Sequence, residues 1–136
     1  VIVLDTNVVS ETLKPHPDEG VIQWLTTHGN DTTITAITVA EISVGIEILP
    51  EGKRKRDLRQ WIGEVFDSYE SRVLVLDNQS ARIYGSLVAR RRSQGNPLTT
   101  EDAMIAAICT VGGFPLATRN TKDFEGLDLT LINPWE

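Results

Sequence analysis

The spacing of apolar residues changes period several times along the chain, and each change marks an element. Val1-Ile2-Val3-Leu4 is a short apolar run cut off by Asp5-Thr6-Asn7, the pattern of a strand buried on both faces of a parallel sheet. Asn7 to Lys14 reads as a short helix stopped by Pro15 and Pro17, and Asp18 is placed to cap a second helix that carries Val21, Ile22, Trp24 and Leu25 and closes near Gly29-Asn30. Thr32 to Ala36 is rich in strand formers, and Thr38 opens a helix running to Leu49. From Lys53 to Tyr69 the residues Leu58, Trp61, Ile62, Val65, Phe66 and Tyr69 recur at the three-and-four spacing of an amphipathic helix, with the basic N-terminal residues largely outside that stripe.

The second half follows the same alternation. Arg72 to Leu76 predicts a further strand, and Gln79 to Gln94 a helix with Ala81, Tyr84, Leu87 and Val88 inward. Gly95-Asn96-Pro97 is a break, and Thr99 starts a mostly apolar helix that stops at Gly112-Gly113. Phe114 to Ala117 and Leu129 to Ile132 supply two last strands around a polar TRNTKDFEG segment. Parallel neighbours need crossover connections, so the alternation predicts an α/β fold: one domain over residues 1–136, with a mainly parallel central sheet of four to five strands and helices on both faces.

Composition narrows the function classes. With 40% hydrophobic and 24% charged residues the chain falls in the ordinary globular range, and no apolar run is long enough to span a bilayer. Without a basic leader followed by an apolar stretch, the expectation is a cytoplasmic protein with no membrane partner. The one cysteine, Cys109, sits among Ile105, Ala106, Ala107 and Ile108 and reads as a buried structural thiol. A net charge of −6 argues against nucleic-acid binding through a broad basic face, so any phosphate must be gripped locally. The candidates are the Lys53-Arg54-Lys55-Arg56 run with Arg59, and Arg90-Arg91-Arg92, although a solvated helix face explains either run.

The chemistry rests on acids. Asp5 stands where the first strand runs out, the edge of an α/β sheet at which ligands bind, but capping the next helix is a simpler task for it. Asp123 follows the later strand by a few residues, in what is otherwise an ordinary acidic turn. Glu41 falls on a helix side shared with Ile37, Ile42 and Leu49, facing inward or along a rim, and Thr38-x-x-Glu41 also matches a capping box. Asp102 repeats that ambiguity: Thr99-x-x-Asp102 is a possible capping pair, yet Asp102 shares a stripe with Ile105, Ala106 and Cys109, with Glu101 as a rival. A doubly wound sheet brings all of these acids toward one edge, where ionised carboxylates repel unless protonated or neutralised by a cation. Oxygen donors without a Cys and His cluster favour Mg²⁺ or Mn²⁺ over zinc. The chain has neither a P-loop nor a G-x-S-x-G elbow, and His16 and His28 read as surface residues.

LDTNVVSE, TVAEISVGIEIL, TEDAMIAA, LATRNTKDFEG and the closing NPWE, in this order and spacing, resemble the PIN-domain ribonuclease toxins of type II toxin–antitoxin systems, in their VapC and FitB-like branch. The likeness covers nearly the whole length and is thinnest between about Glu51 and Asp77. It implies that Asp5, Glu41, Asp102 and Asp123 form the catalytic and metal-carrying acidic cluster, with Asp5 and Asp102 most central. Thr6 or Asn7, Thr118 and Asn120 match polar supporting positions, and Arg119 is beside the expected site and within reach of substrate phosphate. The implied reaction is Mg²⁺- or Mn²⁺-dependent hydrolysis of an RNA phosphodiester, with water as the nucleophile and no covalent enzyme intermediate. The implied partners are an RNA substrate, a small DNA-binding antitoxin, promoter DNA through that antitoxin, and a second copy in a homodimer.

Other classes remain open on sequence. A receiver-like signalling domain also places an Asp at a strand end near Mg²⁺, but it wants a Lys after a late strand, and Lys122 is misplaced for that. A haloacid-dehalogenase-type phosphatase wants a second Asp two residues after Asp5, where this chain has Asn7. A noncatalytic module acting only in an antitoxin and promoter complex is disfavoured by the intact acids.

Overall fold

A computed structural model describes residues 1–136. Its sheet has four strands, β1 (Ile2–Leu4), β2 (Thr32–Thr33), β3 (Leu116–Ala117) and β4 (Leu131–Ile132), in the order β2-β1-β3-β4. Every pairing is parallel: Val3 lies opposite Thr33 on one side and Leu116 on the other, and Ala117 lies opposite Ile132. The central β1 therefore ends with Asp5 flanked by both neighbours.

Six helices cover the sheet: α1 (Thr6–Glu11), α2 (Glu19–His28), α3 (Ala36–Glu47), α4 (Lys53–Tyr69), α5 (Asn78–Ser93) and α6 (Thr100–Gly112). The two-residue period of the strands divides the core into two layers. Val3 and Leu116 pack with Leu87, Ile105, Ala106, Cys109 and Phe124, beneath α5 and α6. Leu4 and Ala117 pack with Val8, Val21, Ile34, Ile42, Ile46 and Ile62, beneath α1 to α4. This is the expected parallel α/β architecture with helices on both faces.

The details differ from expectation where short range and long range compete. Arg72 to Leu76 forms no regular strand; Leu74 makes only a single parallel bridge to Thr35, with its N–H on the Ile34 carbonyl and its carbonyl on the Ala36 N–H. Val75 in that segment is exposed, so the β-branched run borders the sheet without entering it. Helix α3 begins earlier than Thr38, because Thr35 is the N-cap and accepts from the Thr38 N–H at 3.2 Å. Ala81 faces solvent, while Arg91, four residues beyond Leu87, is buried. Gly113 closes α6 in the left-handed region at φ 67°, as the Gly-Gly stop anticipates.

Candidate active site

Four short segments deliver the polar edge of the sheet: the β1–α1 junction, the first two turns of α3, the first turn of α6, and the stretch after β3. Asp5 is buried at 4% exposure and caps α1, its Oδ1 accepting from the Thr6 N–H at 2.8 Å. Its Oδ2 accepts from the Thr118 hydroxyl at 2.7 Å and from Asn7 Nδ2 at 3.3 Å. Capping thus consumes only one oxygen. Burial pushes the Asp5 carboxyl above its ordinary range; the donors from Thr118, Thr6 and Asn7 pull the other way, and Asp123 adds repulsion.

Glu41 is not engaged in a capping box, since Thr35 rather than Thr38 caps its helix. Its Oε1 accepts instead from the Thr6 hydroxyl at 2.7 Å, and that hydroxyl lies 2.9 Å from the hydroxyl of the fully buried Thr38. One hydroxyl carries one proton, so with Thr6 donating to Glu41, Thr38 must donate to Thr6. Thr38 is thereby a supporting residue that sequence reading assigned to a cap. Its signal was present only as a buried Thr one helical turn before an acid.

Asp102 lies in the first turn of α6, whose cap Thr99 accepts from the Asp102 N–H at 3.1 Å. Partial burial raises its carboxyl to about 6, with further repulsion from Asp5, Asp123 and Glu41 and an opposing contribution from Thr99. Glu101 is exposed and lines none of the clefts at this edge.

The acids open on adjoining clefts. Asp5, Glu41 and Asp102 share one of about 350 Å³ with Thr6, Asn7, Ser10 and Asn120. Asp123 stands outside it, in a 3₁₀ turn (Thr121–Phe124), and faces two neighbouring clefts. One, of about 110 Å³, it shares with Asp102 and Arg91; the other, of about 330 Å³, it shares with Arg119, Asn120 and Lys122. Asn120 reaches the site through its N–H, which donates to the Thr118 hydroxyl at 3.1 Å, and Asn7 Oδ1 accepts from the Arg119 N–H at 3.3 Å. The Arg119 guanidinium lies 5.1 Å from the Trp135 ring centroid.

The chemistry of this donor set suits a hard divalent cation: the shared cleft offers carboxylate, hydroxyl and amide oxygens, with no thiolate, imidazole, Lys or Arg in its wall. No three acidic, His or Cys side chains converge as a ready ligand set. That spacing is compatible with Mg²⁺, which keeps several waters and is usually held through one or two carboxylates.

A family model described as "PIN domain" matches residues 2–128. The chain belongs to the PIN-domain family. Among its relatives, "VapC ribonuclease Y4jK" of Sinorhizobium fredii is 41% identical over 138 residues, covering 100% of this chain and 99% of the relative. "Toxin FitB" of Neisseria gonorrhoeae is 35% identical over 137 residues, covering 99% of each. Among solved structures, FitAB bound to an IR36 DNA fragment superposes with a TM-score of 0.93 at 35% identity, covering 100% of this chain and 96% of that one. The superposition agrees with the parallel α/β fold described above.

The first basic run stands apart from this PIN-domain edge in its bonding. Lys53 pairs with Asp57, Arg59 with Glu47, and Arg54 donates to the Leu13 carbonyl. Lys55 is buried, donating to the Glu47 carbonyl at 2.9 Å and to Glu51 at 2.7 Å. Most of the first run is thus occupied within the protein. Cys109 is buried and its thiol is pushed up to about 12 by desolvation and the Asp5 charge, consistent with a structural role.

Proposed function

We propose that this PIN domain is the toxin of a type II toxin–antitoxin pair, a Mg²⁺- or Mn²⁺-dependent endoribonuclease that hydrolyses RNA phosphodiester bonds. The observation that carries the reading is the shared cleft, where Asp5, Glu41 and Asp102 face one volume without a cationic side chain to offset them. The names of the VapC and FitB relatives support the ribonuclease and toxin assignments respectively.

In this reading Asp5 and Asp102 hold the ion, with Glu41 and Asp123 completing the acidic set. When bound, the ion supplies positive charge to a nonbridging phosphate oxygen and to the leaving oxygen, and acidifies a water. The remaining work falls to side chains. Thr118, Asn7 and the Thr6 N–H fix both Asp5 oxygens, so the carboxylate is oriented before substrate arrives. The Thr38–Thr6 hydroxyl pair occupies one Glu41 oxygen and leaves the other to orient the attacking water. Arg119, steadied over Trp135, meets phosphate at the rim with Lys122.

The same reading gives the chain an antitoxin partner and, through it, promoter DNA, as the FitAB complex with DNA suggests by analogy. Homodimerisation, a cytoplasmic location and a single domain spanning 1–136 belong to it as well. The test compares the parent chain with Asp5→Asn on total RNA in Mg²⁺ or Mn²⁺. Cleavage that EDTA and the substitution both abolish supports the nuclease. Intact RNA with the parent chain in either metal leaves a noncatalytic module, and acetyl-phosphate labelling of Asp5 would make it a receiver.

A further inference from the structure

Arg91 sits in the last turn of α5, between two exposed arginines, yet is itself only 3% exposed. It pairs with no carboxylate within ion-pair distance. Its Nε donates to the Asn96 carbonyl at 2.8 Å, and its Nη1 donates to the carbonyls of Asp123 at 3.1 Å and Glu125 at 3.3 Å. Burying a guanidinium is costly, and a fold retains one where its hydrogen bonds are needed.

Those carbonyls belong to two different segments. Asn96 lies in the loop that leads through Pro97, Leu98 and the cap Thr99 into α6, and so to Asp102. Asp123 and Glu125 lie in and just after the 3₁₀ turn that follows β3. Arg91, Asn96, Thr99, Asp102 and Asp123 line one small cleft, with the guanidinium joining its two sides. We infer that Arg91 is a positioning residue for the catalytic edge, a brace that fixes the Asp123 turn relative to the Asp102 helix start. The inference rests on the proposed nuclease reading for its catalytic consequence, but the brace itself is independent of that reading. A planar fork can reach the carbonyls of two segments at once, whereas a lysine ammonium in the same space is a compact point donor on a flexible stem.

The experiment uses the full chain with Arg91→Lys and Arg91→Met, and Arg82→Lys on the exposed face of α5 as control. Amide hydrogen exchange over residues 121–126, Mn²⁺ binding by calorimetry, melting temperature, and kcat and KM for RNA are measured together. For Arg91→Lys the expected result is a cooperative melt, faster exchange confined to residues 121–126 and the 96–99 loop, and Mn²⁺ affinity and kcat each down about tenfold or more with KM little changed. Arg91→Met should show the same pattern enlarged. Parent-like exchange at 121–126 in Arg91→Lys overturns the brace, as does a uniform rise in exchange that tracks a falling melting temperature. If the parent chain cuts no RNA, the nuclease reading fails alone, and exchange and Mn²⁺ binding still decide the role of Arg91.

Discussion

The first turns of α4 and the carboxyl edge of the sheet hold opposite charges and treat them in opposite ways. At α4, Lys53, Arg54, Lys55 and Arg59 each find an acid or a carbonyl within the chain. At the sheet edge, Asp5 and Glu41 are met by hydroxyls and amides only. Neutral donors orient a carboxylate without cancelling its charge, so the second region retains a demand for a cation that the first does not. A cluster of charge indicates function when the fold leaves it uncompensated, and the more conspicuous basic run fails that criterion.

The comparison breaks most sharply at Asp5. Asp5→Asn should lower RNA cleavage by more than about 100-fold, beyond the usual range for residues that only support a metal ligand, while the protein still melts cooperatively. Thr118→Val removes a neutral donor and leaves the charge: cleavage should fall about 10- to 100-fold, with a stability loss of about 1–3 kcal/mol because Asp5 Oδ2 keeps only its longer bond from Asn7 and the Asn120 N–H loses its acceptor, read by kinetics and denaturant titration. At α4 the pattern should invert. Lys55→Ala should cost about 1–3 kcal/mol in the same titration, because the Glu47 carbonyl loses its donor, with cleavage per folded molecule unchanged.

Finer contrasts sharpen the distinction. Arg119→Ala should weaken RNA binding a few-fold and flatten its log–log salt dependence by about one unit, whereas Arg59→Ala, whose partner is Glu47, should leave that slope alone. The smallest effect is on stability against pH. Asp102 has its carboxyl raised to about 6, so its ionisation opposes folding above that pH, and the penalty is relieved as pH falls through 6 toward 3.8. Glu11, Glu51 and Asp77 are shifted down, so the stability they add is lost only below the ordinary carboxylate range. The metal-free protein should therefore melt higher near pH 5 than at pH 7, and Mg²⁺ should narrow that gap; a melting temperature that falls steadily from pH 7 to 5 would refute it.

Legibility in the sequence followed the range of the interaction. Strands β1 and β3, and the acids Asp5 and Asp123 that follow them, are visible because a buried parallel strand needs only a short apolar run and a polar stop, whereas β2, two threonines, shows only in its strand-forming composition. Asp18 and Thr99 act as caps within their own turns, so their tasks are local. Thr38 was misread because T-x-x-E has a local meaning, while its actual partner Thr6 is 32 residues away. The Arg72 to Leu76 run has strand composition but little sheet to join, since β2 is only two residues long. Arg91 was indistinguishable from Arg90 and Arg92 until the loops after α5 and β3 closed over it.

The bond between Thr118 and Asp5 spans 113 residues. During synthesis, a ribosome that has made α1 through α6 has produced Asp5, Glu41 and Asp102 but not the strand that seats the first of them. The polar pocket is completed only as β3 docks beside β1, so no stretch of chain ending at α6 holds a seated Asp5, and the first acid made is among the last to be oriented.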